Sequence, residues 1–185
     1  MRIFYTVSYY GKNQYQKYYD LVLDALEKTG AEVYSPEKQN HLQLLPKRKQ
    51  HALKNDPHRL HYEAIKYGIQ QTDVSVIEVS FQDIQIGYET ALAVQHKKPL
   101  LCLSIHEDFS QKILHPYFFG AKYSEVTIDN IIEEFIKKIQ KKRFSERFNF
   151  FLSPTQLNYL KTSSKKRELT TSEYLRELIE KDSGK

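Results

Sequence analysis

With 185 residues, 40% hydrophobic and 28% charged, the chain is long enough for one ordinary domain plus a small appendage and too apolar to be disordered by composition. A net charge of +5 permits an acidic partner without requiring one, and the one cysteine, Cys102, excludes an intramolecular disulfide and fits a reducing, cytoplasmic setting. No apolar run approaches the ~20 residues of a membrane helix, and the opening MRIFYTVSYYGK reads as a strand rather than a signal segment.

In chain order, RIFYTV (2–7) is β-branched and aromatic and predicts a first buried strand. From Gln14 to Thr29, Tyr18, Leu21, Val22, Ala25 and Leu26 recur with helical spacing, and Gly30 stands where a helix is closed. AEVYS (31–35) predicts a second, short strand, ended by Pro36. Residues 37–56 lack a period and read as a long basic loop. A helix is expected over 57–71 and a central parallel strand over VSVIEV (74–79). Gly87 and Glu89 open a helix to Gln95, and PLLCLSI (99–105) is another buried strand. Pro116–Gly120 reads as a turn, Ser124–Ile128 as an edge strand, and 129–142 as a last helix with Ile131, Ile132, Phe135, Ile136 and Ile139 on one face. The alternation implies an α/β fold, a Rossmann-like or flavodoxin-like parallel sheet with helices on both faces and ligands at the strands' carboxyl ends.

The polar, basic stretch KKIQKKRFSE (137–146) marks a boundary, giving one domain over 1–143 and a second over 144–185. The second reads as a short strand (RFNFFL) and two helices. Ser153 with Pro154 starts the first helix, and Thr171 or Ser172 caps the second. Its apolar stripes run through Leu157, Leu160, Leu169, Tyr174, Leu175, Leu178 and Ile179. So few residues make too small a core, so this part is expected to dimerise or dock.

The chemistry-bearing stretch is TDVSVIEVSFQDIQIGYETALAVQHKKPLLCLS (72–104). Glu89 falls near a helix start, where the partial positive charge favours an ionised carboxylate. Such a carboxylate can attack an anomeric carbon or stabilise an oxocarbenium-like centre. Gly87 would let a ligand approach the backbone. Asp83 is a candidate proton donor or ribose-hydroxyl partner. Tyr5 and Ser8, at the end of the first strand, and Tyr88, beside Glu89, are candidate substrate contacts near the strands' carboxyl ends. His61, His106 and His115 show no metal-ligand spacing, so no metal is expected.

On GYE, the preceding strand and loop, and the following KPLLCL strand, residues 1–140 resemble the nucleoside 2-deoxyribosyltransferase superfamily, and most closely its 2′-deoxynucleoside 5′-phosphate N-hydrolases. The resemblance implies that Glu89 is the nucleophile toward the deoxyribose, that a glycosyl-enzyme intermediate forms, and that no cofactor is required. Two positions depart from the family pattern. Ile65 stands where the family carries an Asp, with Glu63 half a turn away. The loop SFQDIQIG replaces a Ser- and Gly-rich phosphate loop, and Asp83 in it would repel a phosphate.

The second part, RFNFFLSPTQLNYLKTSSKKRELTTSEYLRELIEKD, resembles the ribbon–helix–helix family. That resemblance implies a homodimer and a DNA-reading strand whose outward residues are Arg147, Asn149 and Phe151. Lys165, Thr171 and Ser172 would reach phosphates. Three functional readings follow: an enzyme that hydrolyses or transfers the N-glycosidic bond of a nucleoside or nucleotide, a nucleoside-sensing DNA-binding regulator, or a purely oligomeric module with no retained chemistry.

Overall fold

A computed structural model describes residues 1–142 and 150–183. The chain divides into two compact units, Met1–Arg143 and Phe144–Lys185. In the first, β1 (Arg2–Val7), β2 (Glu32–Tyr34), β3 (Val74–Glu78), β4 (Leu100–Ser104) and β5 (Phe118–Lys122) form one sheet in the order β2-β1-β3-β4-β5. Every pairing is parallel, with Phe4 beside Tyr34 and Ser75 and with Val76 beside Leu101. The α/β reading with a parallel sheet is the fold observed.

Parallel neighbours require crossovers, and these carry α1 (Lys12–Lys28), α3 (Pro57–Gln71) and α4 (Ile84–Gln95), while α5 (Ile128–Lys142) follows the last strand. One face of the sheet packs Tyr5, Val76 and Leu103 against Tyr19 and Val22 of α1 and Ile132 and Phe135 of α5. The other packs Phe4, Ile77 and Cys102 against Ile65 and Ile69 of α3 and Ile86 and Ala93 of α4. β1 lies between β2 and β3, so the strand order reverses beside it. The crevice beyond the carboxyl ends of β1 and β3 is therefore the place for a ligand.

Local signals explain the helix ends. α1 stops at Lys28 because Gly30 takes φ +72°, which a side chain would strain. Asp56 caps α3 by accepting from the Arg59 N–H, with Pro57 at the first helical position.

Four expectations are corrected. Residues 37–56 are not simply loop: they hold a 3₁₀ turn at His41–Leu44 and a short helix, α2 (Lys47–Ala52). The six residues of α2 bury none of their own side chains, so they leave no apolar period to read. The edge strand is Phe118–Lys122, not 124–128. Gly120, read as a turn residue, sits inside this strand, where a Cβ would come within 2.3 Å of the Ser110 amide. α4 begins at Ile84, three residues before Gly87, because Asp83 caps it.

In the second unit, α6 (Pro154–Lys166) and α7 (Thr171–Asp182) pair. Ser153 caps α6 as expected, reciprocally with Gln156. The cap of α7 is Thr170 rather than Thr171 or Ser172, because Glu173 lies at the third helical position and completes a capping box with Thr170. Leu160 and Tyr174 are buried, Tyr159 and Tyr174 share a hydroxyl contact of 3.3 Å, and Arg167 pairs with Glu177 at 2.6 Å. Arg147 and Asn149 lie outside the described residues, and residues 150–153 form no strand.

Candidate functional site

A cavity of about 490 Å³ lies between α3 and α4. That volume suits a small organic ligand. From α3 it is lined by His58, His61, Tyr62 and Ile65, spaced i, i+3, i+4, i+7, so one face of that helix makes one wall. From α4 it is lined by Ile84, Gln85, Tyr88 and Glu89. Tyr62 and Tyr88 stack across it with ring centroids 6.1 Å apart, and their hydroxyls meet at 2.8 Å.

Glu89 is 2% exposed. Its Oε1 accepts a hydrogen bond from Gln85 Nε2 at 3.0 Å, and its Oε2 is buried with no partner among the described residues. Burial pushes its pKa up to about 7, with the Asp83 charge adding to the rise, while Gln85 and Thr6 offset part of it. This reverses the expectation from the helix dipole. Glu89 lies in the second turn of α4, beyond the reach of the terminal partial charge, and desolvation dominates. A buried carboxylate oxygen without a donor costs roughly 1–3 kcal/mol, which a bound ligand could recover.

Asp83 occupies the helix start instead. One oxygen accepts the Ile86 N–H at 2.8 Å and the other accepts the Ser8 hydroxyl in a short bond. Both oxygens are thus engaged as acceptors, which fits a cap that ties β1 to α4 and does not fit a proton donor. Ser8 is buried and committed to this bond. Tyr5 is fully buried, its hydroxyl donating to the Tyr19 carbonyl at 2.9 Å, so it belongs to the core and not to the substrate contacts. A Cβ on Gly87 would meet nothing within 4 Å, so packing does not require glycine there. Ile65 faces the cavity, while Glu63 faces Lys49 at 3.7 Å.

The sequence reading missed two features. Glu78, at the end of β3, is 0% exposed. It accepts hydrogen bonds from the Ser80 hydroxyl, the Ser80 N–H at 3.2 Å and the Tyr123 hydroxyl at 3.0 Å. Its pKa is raised by burial, which those hydrogen bonds partly oppose. One acidic residue inside the apolar run VSVIEV was the available signal. The second is a histidine pair, with His41 Nε2 3.2 Å from His61 Nδ1. Nothing in the spacing of 20 residues marks it.

Two further clefts of about 380 Å³, one between α1 and α5 and one around Met1, Asp73 and Tyr117, have no buried unpartnered polar atom in their walls. Among the described residues no group of three or more His, Cys, Asp or Glu side chains is placed to hold a metal ion. No helix among them is long and apolar enough to cross a membrane. In the second unit Phe151 is fully exposed, Lys165 and Ser172 are exposed, and Thr171 is half-buried.

No family model matches the chain. Over 82 residues it is 33% identical to 5-hydroxymethyl-dUMP N-hydrolase of Danio rerio, a match covering 40% of this chain and 56% of that protein. The chain thus spans about half the length of the curated relative it matches. Among solved structures it is similar to the CMP N-glycosidase BcmB of Clostridium botulinum, with a TM-score of 0.50 and 14% identity over 72% of this chain and 99% of that one. What the two share is the α/β fold.

Proposed function

We propose that the first unit cleaves the N-glycosidic bond of a nucleoside or nucleotide, with Glu89 as the nucleophile. The observation that carries this reading is a carboxylate with one unpartnered oxygen, buried in the wall of a cavity between the N-terminal halves of α3 and α4. The relatives' names, an N-hydrolase and an N-glycosidase, support the same chemistry. In its ionised form Glu89 attacks C1′ of the sugar. The C1′–N bond breaks and its electron pair leaves with the base. Water then cleaves the glycosyl ester, returning the free sugar and the carboxylate. Gln85 fixes one oxygen so that the other faces the sugar. Asp83 and Ser8 act by holding the start of α4 against β1.

Incubating the full chain with a panel of ribo- and deoxyribonucleosides and their 5′-monophosphates tests this. The wild type should release free base, and Glu89→Ala should lower the rate by roughly 10³-fold or more. A wild type that releases none from the panel would sink the proposal.

For the second unit we propose self-association of the ribbon–helix–helix kind, supported by exposed Phe151, Leu157 and Ile179 on so small a unit. Truncation after Arg143 should lower the oligomeric state in light scattering; an unchanged state would overturn it. Binding of duplex DNA that weakens with salt would instead favour the regulator reading.

A further inference from the structure

Of the cavity's polar side chains, most are spent on one another. The Tyr62 and Tyr88 hydroxyls bond to each other, and the Gln85 amide bonds to Glu89. His61 differs, because its partner lies outside the cavity wall. Its Nδ1 is 3.2 Å from Nε2 of His41, with the two rings edge to face at 5.2 Å. Its Nε2 is the nitrogen left over on a residue that lines the same cavity as Glu89.

The pair's proton can be placed. His41 is 8% exposed, and burial lowers its pKa to about 4, with His61 adding to the fall. His61 is lowered too, by desolvation and then by the His58 charge. At neutral pH both rings are therefore neutral, and one proton lies between them. If His61 donated it, the proton of His41 would sit on Nδ1, which is buried without any partner. A buried N–H without an acceptor is the rarer and costlier defect. The favoured tautomer has His41 Nε2–H donating to His61 Nδ1, which leaves the His61 proton on Nε2.

We propose that His61 contacts the departing nucleobase, donating a hydrogen bond from Nε2 to an acceptor atom of the base, with His41 as the positioning residue that sets its tautomer. This rests on the cleavage reading above. As the C1′–N bond breaks, its electron pair stays on the base, and the Nε2–H stabilises that charge without transferring its proton. A neutral imidazole suits a hydrogen-bond donor of this kind. The base then takes its proton from water.

The test pairs natural bases with better leaving versions: guanine with N7-methylguanine, which departs uncharged, and uracil and cytosine with their 5-bromo forms. Base release is measured for the full-length wild type, His61→Phe and His61→Gln. H61F should lose about 100-fold on the natural base, the scale for removing one such donor. On the better leaving partner the loss should be no more than about tenfold. H61Q, which keeps a donor, should recover most of the difference. Equal losses on both members of each pair would overturn the role of His61 while leaving Glu89 in place. A wild type inactive on every pair would overturn both. In the ¹⁵N-labelled chain at neutral pH, His61 should be protonated on Nε2; protonation on Nδ1 would overturn the tautomer assignment.

Discussion

The two faces of the sheet end in two buried carboxylates, and their surroundings differ. Glu78, on the α1/α5 side, receives two hydroxyls and a backbone N–H, so its hydrogen-bonding needs are met inside the protein. Glu89, on the α3/α4 side, receives one amide and keeps a bare oxygen beside a cavity. Burial raises both pKa values. Depth and a raised pKa therefore do not tell the two carboxyls apart. The unmet oxygen and the open space next to it set Glu89 apart, and the proposed cleavage role rests on them.

The comparison can be broken most decisively by pH. Glu89 titrates at about 7 in the folded chain against an ordinary 4.5. Base release should therefore rise as pH climbs through about 7 and level off above it. Stability should run the other way. A raised carboxyl pKa means that the folded chain holds its proton longer than the unfolded chain. The contribution is complete below about pH 4.5 and is lost as pH rises through 7, amounting to about 3 kcal/mol. Urea unfolding across this range should show the fall in the wild type and a shallower one in Glu89→Gln. Glu78 adds a slope of the same sign, so E89Q should not abolish it. A wild-type slope of zero would contradict the placement of both groups.

Glu78→Gln sharpens the contrast at a smaller scale. It presents an amide N–H₂ to a site filled with donors and should destabilise the chain by about 1–3 kcal/mol. Base release per folded molecule should change little. A loss of activity as large as that of Glu89→Ala would show that the two carboxylates are not separate in role. The smallest effect lies in the second unit. Thr170→Ala should cost α7 about 1 kcal/mol, read as reduced helicity in the full chain, and should leave base release unaltered.

The strands and helices of the first unit were largely legible because apolar spacing follows directly from burial. RIFYTV and PLLCLSI are apolar because both faces of a parallel sheet are covered. Where burial is slight the signal fades, as in α2, and where a glycine serves packing instead of a turn it misleads, as at Gly120. In the site, Glu89 was legible from the GYE motif, but its electrostatics were not. Whether a carboxylate at the start of a helix is ionised depends on which turn it occupies and how deeply it is buried, and Asp83 had taken the capping position. His61 gave no signal at all, because its significance comes from His41, a residue on another element that meets it only in three dimensions.

The bond between Ser8 and Asp83 spans 75 residues and joins the first strand of the chain to the helix that carries Glu89. β1 is made well before its partner β3 and the cap of α4. The site therefore has no precursor during synthesis. A nascent chain that stops before α4 carries half a crevice and no Glu89, and the candidate site is complete only once α4 joins the closed β1–β3 pair.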